Sequence, residues 1–189
     1  LKIDKIWRKT ISDDLSISYA VKKAGKKVIF VPAALVASFE STSWRELFSF
    51  ARRQFLITRI VAPKLWWFGL ASSLYSILGL WGAGFASLLL PLPASRLFAA
   101  VSALFFIAGL TRAIMRQRIA YKLLTHQMQY KSYPGQAKLP RLADILGFWI
   151  WSLLLLIFIL SSAFGRTIHW RGIHYKLLGP TKMIVAGSS

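Results

Sequence analysis

Residues 43–68 read SWRELFSFARRQFLITRIVAPKLWWF. Ser43 followed three residues later by Glu46 is a capping box, the start signal of a helix. Leu47, Phe48, Phe50, Ala51, Phe55 and Leu56 give that helix a broad apolar side, and Arg45, Arg52, Arg53 and Arg59 supply charge. Pro63 closes the pattern, and Trp66-Trp67 follow, a residue type enriched where membranes meet water. Such a helix, running into an uncharged stretch, is predicted to lie in the interface plane rather than to cross it.

The composition agrees with a membrane setting. The chain has 189 residues, is 56% hydrophobic with mean hydropathy +0.51, and carries a net charge of +19. Soluble domains are rarely both this apolar and this basic. No charged residue occurs at 65–95, 97–111 or 145–165. The first and third runs reach the roughly 20 residues that a span requires. The second spans if the arginines at its ends extend their heads to the interface, and otherwise is a helix buried in protein. Pro91-Leu92-Pro93 is a tight turn between the first two. The basic charge follows the membrane flanks, which excludes nucleic acid as the partner and points to the lipid surface. There is no cysteine, so disulfides and thiolate zinc sites are excluded. His126, His169 and His174 form no metal-ligand spacing, and no metal site is assigned. The first residue is Leu, without a signal peptide, so the start is read as lying within a domain of a longer protein.

The predicted organisation has six parts. Residues 1–42 are soluble and α/β, with a helix over Leu15–Ala24 closed by Gly25, a strand over Lys27–Val31, and a second strand within Ala34–Phe39. Residues 43–62 are the interfacial helix, and 63–115 hold two transmembrane helices. A basic loop at 116–143, with no acid, is cytoplasmic by the positive-inside rule. A third transmembrane helix occupies 144–165, and a basic aromatic tail occupies 166–189, its Ala-Gly-Ser-Ser end flexible. Three full crossings would carry that tail to the far side, whereas its Arg166, Arg171, Lys176 and Lys182 argue for the cytoplasmic side. One re-entrant or interfacial segment would remove the conflict, as would a tail too short to obey the rule.

Two clusters have the residue types for group transfer. Asp13-Asp14 place two of the six acids side by side at the start of the first helix. A carboxylate held there can take the proton of an attacking hydroxyl, or can simply cap the helix. Arg52, Arg53 and Gln54 lie on the interfacial helix. Arginines bind phosphate in bidentate fashion and stabilise charge on a leaving diphosphate, and they also attract anionic headgroups.

In order along the chain, Ile-Ser-Asp-Asp-Leu (11–15), Ala-Gly-Lys-Lys-Val-Ile-Phe-Val-Pro (24–32) and Phe-Ala-Arg-Arg-Gln-Phe (50–55) resemble the second half of family 2 membrane glycosyltransferases. The likeness is to the ceramide glucosyltransferase-like branch, which includes bacterial lipid and hopanoid glycosyltransferases. Residues 168–177, Ile-His-Trp-Arg-Gly-Ile-His-Tyr-Lys-Leu, are similar to the segment that closes those enzymes. The resemblance covers nearly the whole chain. It implies the C-terminal part of a GT-A catalytic domain, an interfacial helix and about three transmembrane helices, an α/β plus membrane α-helical protein. It implies inverting transfer of a sugar, glucose from UDP-glucose, to a membrane lipid hydroxyl such as that of ceramide, on the cytoplasmic face of a bacterial inner membrane. Asp14 matches the family's base and Asp13 the acid before it, while Arg53 matches the arginine of a Gln/Arg-x-x-Arg-Trp motif. Phe50 and Gln54 depart from that motif, so Arg52-Arg53-Gln54 is either this branch's variant or a remodelled leaving-group contact. Trp170, Arg171 and Tyr175 would line the acceptor entrance, or anchor the tail in the interface. The family's divalent ion (Mg or Mn) would be held mainly by the half that precedes this chain, and the chain alone would be inactive. Two other readings stand beside this one: a processive polysaccharide synthase and a non-enzymatic polybasic membrane scaffold.

Overall fold

The computed structural model describes residues 13–31, 34, 41–125, 138–170, 173–179 and 182–188. They form mainly helices and one small antiparallel sheet, and fall into two compact units. The first holds the N-terminal helix, Ser41–Leu70 and the chain from Phe158 onward; the second holds Val31–Glu40 and Ala71–Ile157.

In the first unit, helix α1 spans Asp13–Lys23. It ends as its glycine dictates: Gly25 takes φ +69°, its N–H donates to the Lys22 carbonyl, and the Lys26 N–H reaches back to Val21, both at 3.0 Å. The strand predicted at Lys27–Val31 is not formed. Val28, Ile29, Phe30 and Val31 are each more than half exposed, with no partner strand among the described residues. A strand exists only through its neighbour, so β-branched composition without a ladder leaves irregular chain. The second predicted strand lies outside the described residues, apart from Ala34, and no GT-A sheet is present among those described.

Helix α2, Trp44–Val61, carries the capping box in full. The Glu46 carboxylate accepts from the Ser43 backbone N–H at 2.8 Å and from its hydroxyl at 2.7 Å. The chain re-emerges in this unit as a three-stranded sheet: β1 Thr167–Trp170, β2 Ile173–Gly179 and β3 Lys182–Ser188, in that spatial order. His169 faces His174 and Tyr175 faces Ile168 across the first pair. This sheet was not predicted. Its alternation is short, and the basic residues within it suggested an interface tail. The closing residues 186–188, expected to be flexible, belong to β3. Leu56 and Ile57 of α2 pack on Ile168 and Leu177 of the sheet to make a small core, with Leu56 and Leu177 at 0% exposure.

The second unit is helical. Helix α3 begins at Pro63, in the first unit, and runs to Ile77; a π-helical turn, Leu78–Gly82, leads into α4, Ala83–Leu89. Together Pro63–Leu89 form one candidate span. The turn at Pro91-Leu92-Pro93 contains a cis Leu92–Pro93 bond. Helix α5, Ala94–Thr125, is the second candidate span and is far longer than its 15-residue uncharged core suggested. Its last turns carry Arg112, Arg116, Arg118 and Lys122, good helix formers that a loop expectation overlooked. Small residues set the helix spacing: a Cβ on Gly79 would sit 2.3 Å from the Phe105 ring, and one on Gly109 2.5 Å from Phe148. Outward positions such as Leu88 (80% exposed) and Leu89 (83%) need a lipid solvent.

The predicted third span is two helices, α6 Lys138–Leu146 and α7 Phe148–Ser161, bent by 78° at Gly147. Helix α7 has 14 residues, about 21 Å of rise, against a hydrocarbon core of about 30 Å. The Arg116 guanidinium grips both oxygens of Asp144 at 2.7 Å, and the Gln117 amide donates at 2.6 Å, tying α6 to α5. The chain therefore has two helices long and apolar enough to cross a membrane, or three if the bent pair counts as one.

Candidate functional site

The best-built polar constellation lies in the first unit, where α2 meets the end of α7. Arg52 and Arg59 are seven residues apart and so share a helix face. The last carbonyls of a helix have no partner within it; at the end of α7 the Ser161 and Ser162 hydroxyls donate to those of Phe158 and Ile159, leaving that of Ser161 for a donor from elsewhere. Arg52 supplies the donors. Its Nε donates to the Ser161 carbonyl at 3.1 Å, its Nη2 to Phe164 at 3.3 Å and its Nη1 to Thr167 at 3.3 Å. Arg59 donates to the carbonyl of Gly165. Gly165 stands at φ +77°, a conformation suited to glycine, and this turns the carbonyls on either side toward the arginines. Ser162, fully buried, completes the joint: its hydroxyl accepts the Trp66 indole N–H at 2.9 Å.

The arginine cluster is under electrostatic stress. Burial holds the Arg59 guanidinium below its ordinary value, and the positive charges of Arg166 and Arg52 add to the effect. The Arg166 guanidinium donates to the Leu178 carbonyl at 3.4 Å. No carboxylate among the described residues pairs with Arg52, Arg59, Arg166 or Lys176.

The residues singled out from the sequence are placed as follows. Arg52 is committed to backbone carbonyls, a role that sequence could not show because its partners are more than 100 residues away. Arg53 lies over the Phe50 ring at 5.5 Å, a cation–π contact within the helix. The Gln54 side chain is exposed. Tyr175 is half-buried against the Leu56–Leu177 core, which favours packing over lining an entrance. Trp170 is in β1 and Arg171 lies outside the described residues, as does the Trp170 side chain. Asp13 and Asp14 open α1, and their side chains too lie outside the described residues. Of the two adjacent tryptophans, Trp67 is 63% exposed, as an interface residue would be, whereas Trp66 is 5% exposed and holds Ser162.

Sequence reasoning missed Arg59 and Arg166 as members of one cluster; the seven-residue spacing of Arg52 and Arg59 was the available signal. It also missed that His169 and His174 stand opposite each other on the hairpin, their rings 4.7 Å apart. No protein-family model, curated protein or solved structure matches this chain.

Proposed function

We propose that this chain is the C-terminal, membrane-embedded part of an inverting glycosyltransferase that moves a sugar, glucose from UDP-glucose, to a lipid hydroxyl. The observation that carries the proposal is the order of its motifs: an Asp13-Asp14 pair opening a helix, then Arg52-Arg53-Gln54 on a capped helix that passes at Pro63 into an apolar one. In this reading Asp14 takes the proton of the acceptor hydroxyl as it attacks the sugar, and Asp13 holds the pair at the helix start. Arg53, with Gln54, meets the departing diphosphate, and the apolar helices hold the lipid. Arg52 is a positioning residue for this helix, because its fork is already filled. The family's divalent ion, Mg or Mn, would be held mainly by residues that precede this chain. The described carboxylates form no site for it, since Glu46 is bound to Ser43 and Asp144 to Arg116 and Gln117.

The commitment of Arg52 to main-chain carbonyls also favours a second reading, a non-enzymatic polybasic membrane protein. One experiment separates the two. Membranes containing the full-length protein that the first reading requires are given labelled UDP-glucose, then a panel of other nucleotide sugars, and the lipid extract is analysed. The enzyme reading predicts a labelled glycolipid, reduced about 100-fold or more by Asp14→Asn. No labelled lipid from any donor, or an undiminished product with Asp14→Asn, contradicts it. The isolated 189-residue chain is expected to give no product.

A further inference from the structure

A cleft of roughly 780 Å³ opens between the end of α7 and the β1–β2 hairpin, within the first unit. Arg59, Arg166 and Lys176 line it together with Phe164, Leu178 and Gly179. The strand register brings Arg166 and Lys176 close in the chain trace: Lys176 pairs with Thr167, the residue after Arg166, and the Leu177 N–H donates to the Arg166 carbonyl at 2.8 Å. Three cations thus converge on one concave surface, and the hydrogen bonds of Arg59 and Arg166 go to carbonyl oxygens, which do not neutralise charge. Leaving like charges clustered costs energy that a multivalent anion would recover. Burial holds the Arg59 guanidinium below its ordinary value, and the neighbouring charge of Arg166 adds to the effect. The rim is apolar: Phe164 is 81% exposed and Leu178 37%. A cationic cleft with an apolar lip suits an amphiphile whose phosphate enters while its chains stay in lipid.

We infer that the Arg59–Arg166–Lys176 cleft binds a phosphate group, carried by an anionic amphiphile at the membrane interface. This inference does not rest on sugar transfer and stands whether or not Asp14 is a base. It would give the protein a dependence on anionic phospholipid.

The test uses the full chain in a nonionic detergent, titrated with dihexanoyl phosphatidate, dihexanoyl phosphatidylcholine and pyrophosphate while binding is followed by phosphorus NMR. Phosphatidate is expected to bind, phosphatidylcholine to bind more weakly, and the double variant Arg166→Gln/Lys176→Gln to weaken phosphatidate binding about twentyfold. Both side chains are exposed, so the substitutions leave the core intact. The charge-keeping pair Arg166→Lys/Lys176→Arg should retain binding, and Arg96→Gln, outside the cleft, should not alter it. Pyrophosphate competing at equal affinity would support the phosphate site and assign it to a soluble ligand. Unchanged phosphatidate affinity in the double variant, an equal loss with Arg96→Gln, or no binding by the wild type would overturn the inference.

Discussion

Arg52 shows how one side chain can serve partners that its sequence context does not reveal. Its planar fork matches phosphate, and it matches with the same geometry the carbonyls left over at a helix end. One such carbonyl, that of Ser161, and two beyond the helix, those of Phe164 and Thr167, take its donors. Two consequences differ in size. Arg52→Ala should lower the stability of the folded protein by about 1–3 kcal/mol, the worth of hydrogen bonds made by a charged group. Arg52→Lys should recover only part of this, because one ammonium cannot span three carbonyls at fixed angles. Thermal unfolding in detergent checks both. A lysine variant as stable as wild type would show that charge, not the fork, holds the joint.

Trp66 and Trp67 teach a related lesson. Adjacent in sequence and identical in type, they divide into a buried hydrogen-bond donor and an exposed interface residue. Composition announces the belt, but only the presence of Ser162, almost 100 residues away, decides which ring leaves the lipid.

Among the elements, those governed by local signals were legible. Ser43 and Glu46 mark the start of α2, and Gly25 marks the end of α1, because caps are set by residues three or four apart. The cap makes a pH prediction. Hydrogen bonds from the Ser43 backbone and hydroxyl hold the Glu46 carboxyl below its ordinary value of 4.5. A folded value lower than the unfolded one means that the stabilisation is complete above 4.5 and is lost as pH falls through the lowered value. Amide hydrogen exchange in the first turn of α2 should therefore quicken below about pH 4.5 in wild type. Glu46→Gln should show no such acid step, and one persisting there would assign it to another group. At neutral pH, Ser43→Ala should open the same turn by about 1 kcal/mol.

Elements that depend on distant partners were not legible. Lys27–Val31 has strand composition without a ladder, whereas residues 167–188 form a sheet because α2 offers Leu56 and Ile57 as a floor. The bend at Gly147 was hidden in an unbroken apolar run, since hydropathy does not register direction. A Cβ on Gly147 would lie 2.6 Å from the Ala143 carbonyl oxygen and 2.9 Å from the Trp151 ring nitrogen, so the bend is crowded and needs glycine.

At the scale of the molecule, the joint between α2 and the end of α7 bears on topology. Within the first unit, Leu56 and Ile57 pack on the sheet, Arg52 and Arg59 hold the turn after α7, and Trp66 at the start of α3 bonds Ser162. The place where the chain enters its apolar segments and the place where it leaves them are therefore neighbours. Neighbouring ends on one membrane face require an even number of crossings between them. The two long candidate spans supply two. The count stays even if helix α7, short and sharply bent from α6, is re-entrant, and becomes odd if the bent pair is a third crossing. The re-entrant arrangement agrees with the basic charge of the tail and predicts α2 and the sheet on one side of the membrane.

Everything proposed for this face, the diphosphate contact and the phosphate cleft alike, depends on that shared side. The absence of cysteine makes it directly measurable, because any introduced thiol is unique. Single cysteines at Arg45 in α2 and at Lys176 in β2 would be probed in sealed, oriented membrane vesicles with a thiol reagent that cannot cross the bilayer. The account predicts that both label from the same side, and that a cysteine at Leu92, in the turn between the two long spans, labels only from the other. Labelling of Arg45→Cys and Lys176→Cys from opposite sides would mean an odd number of crossings, and would contradict the joint on which the account is built.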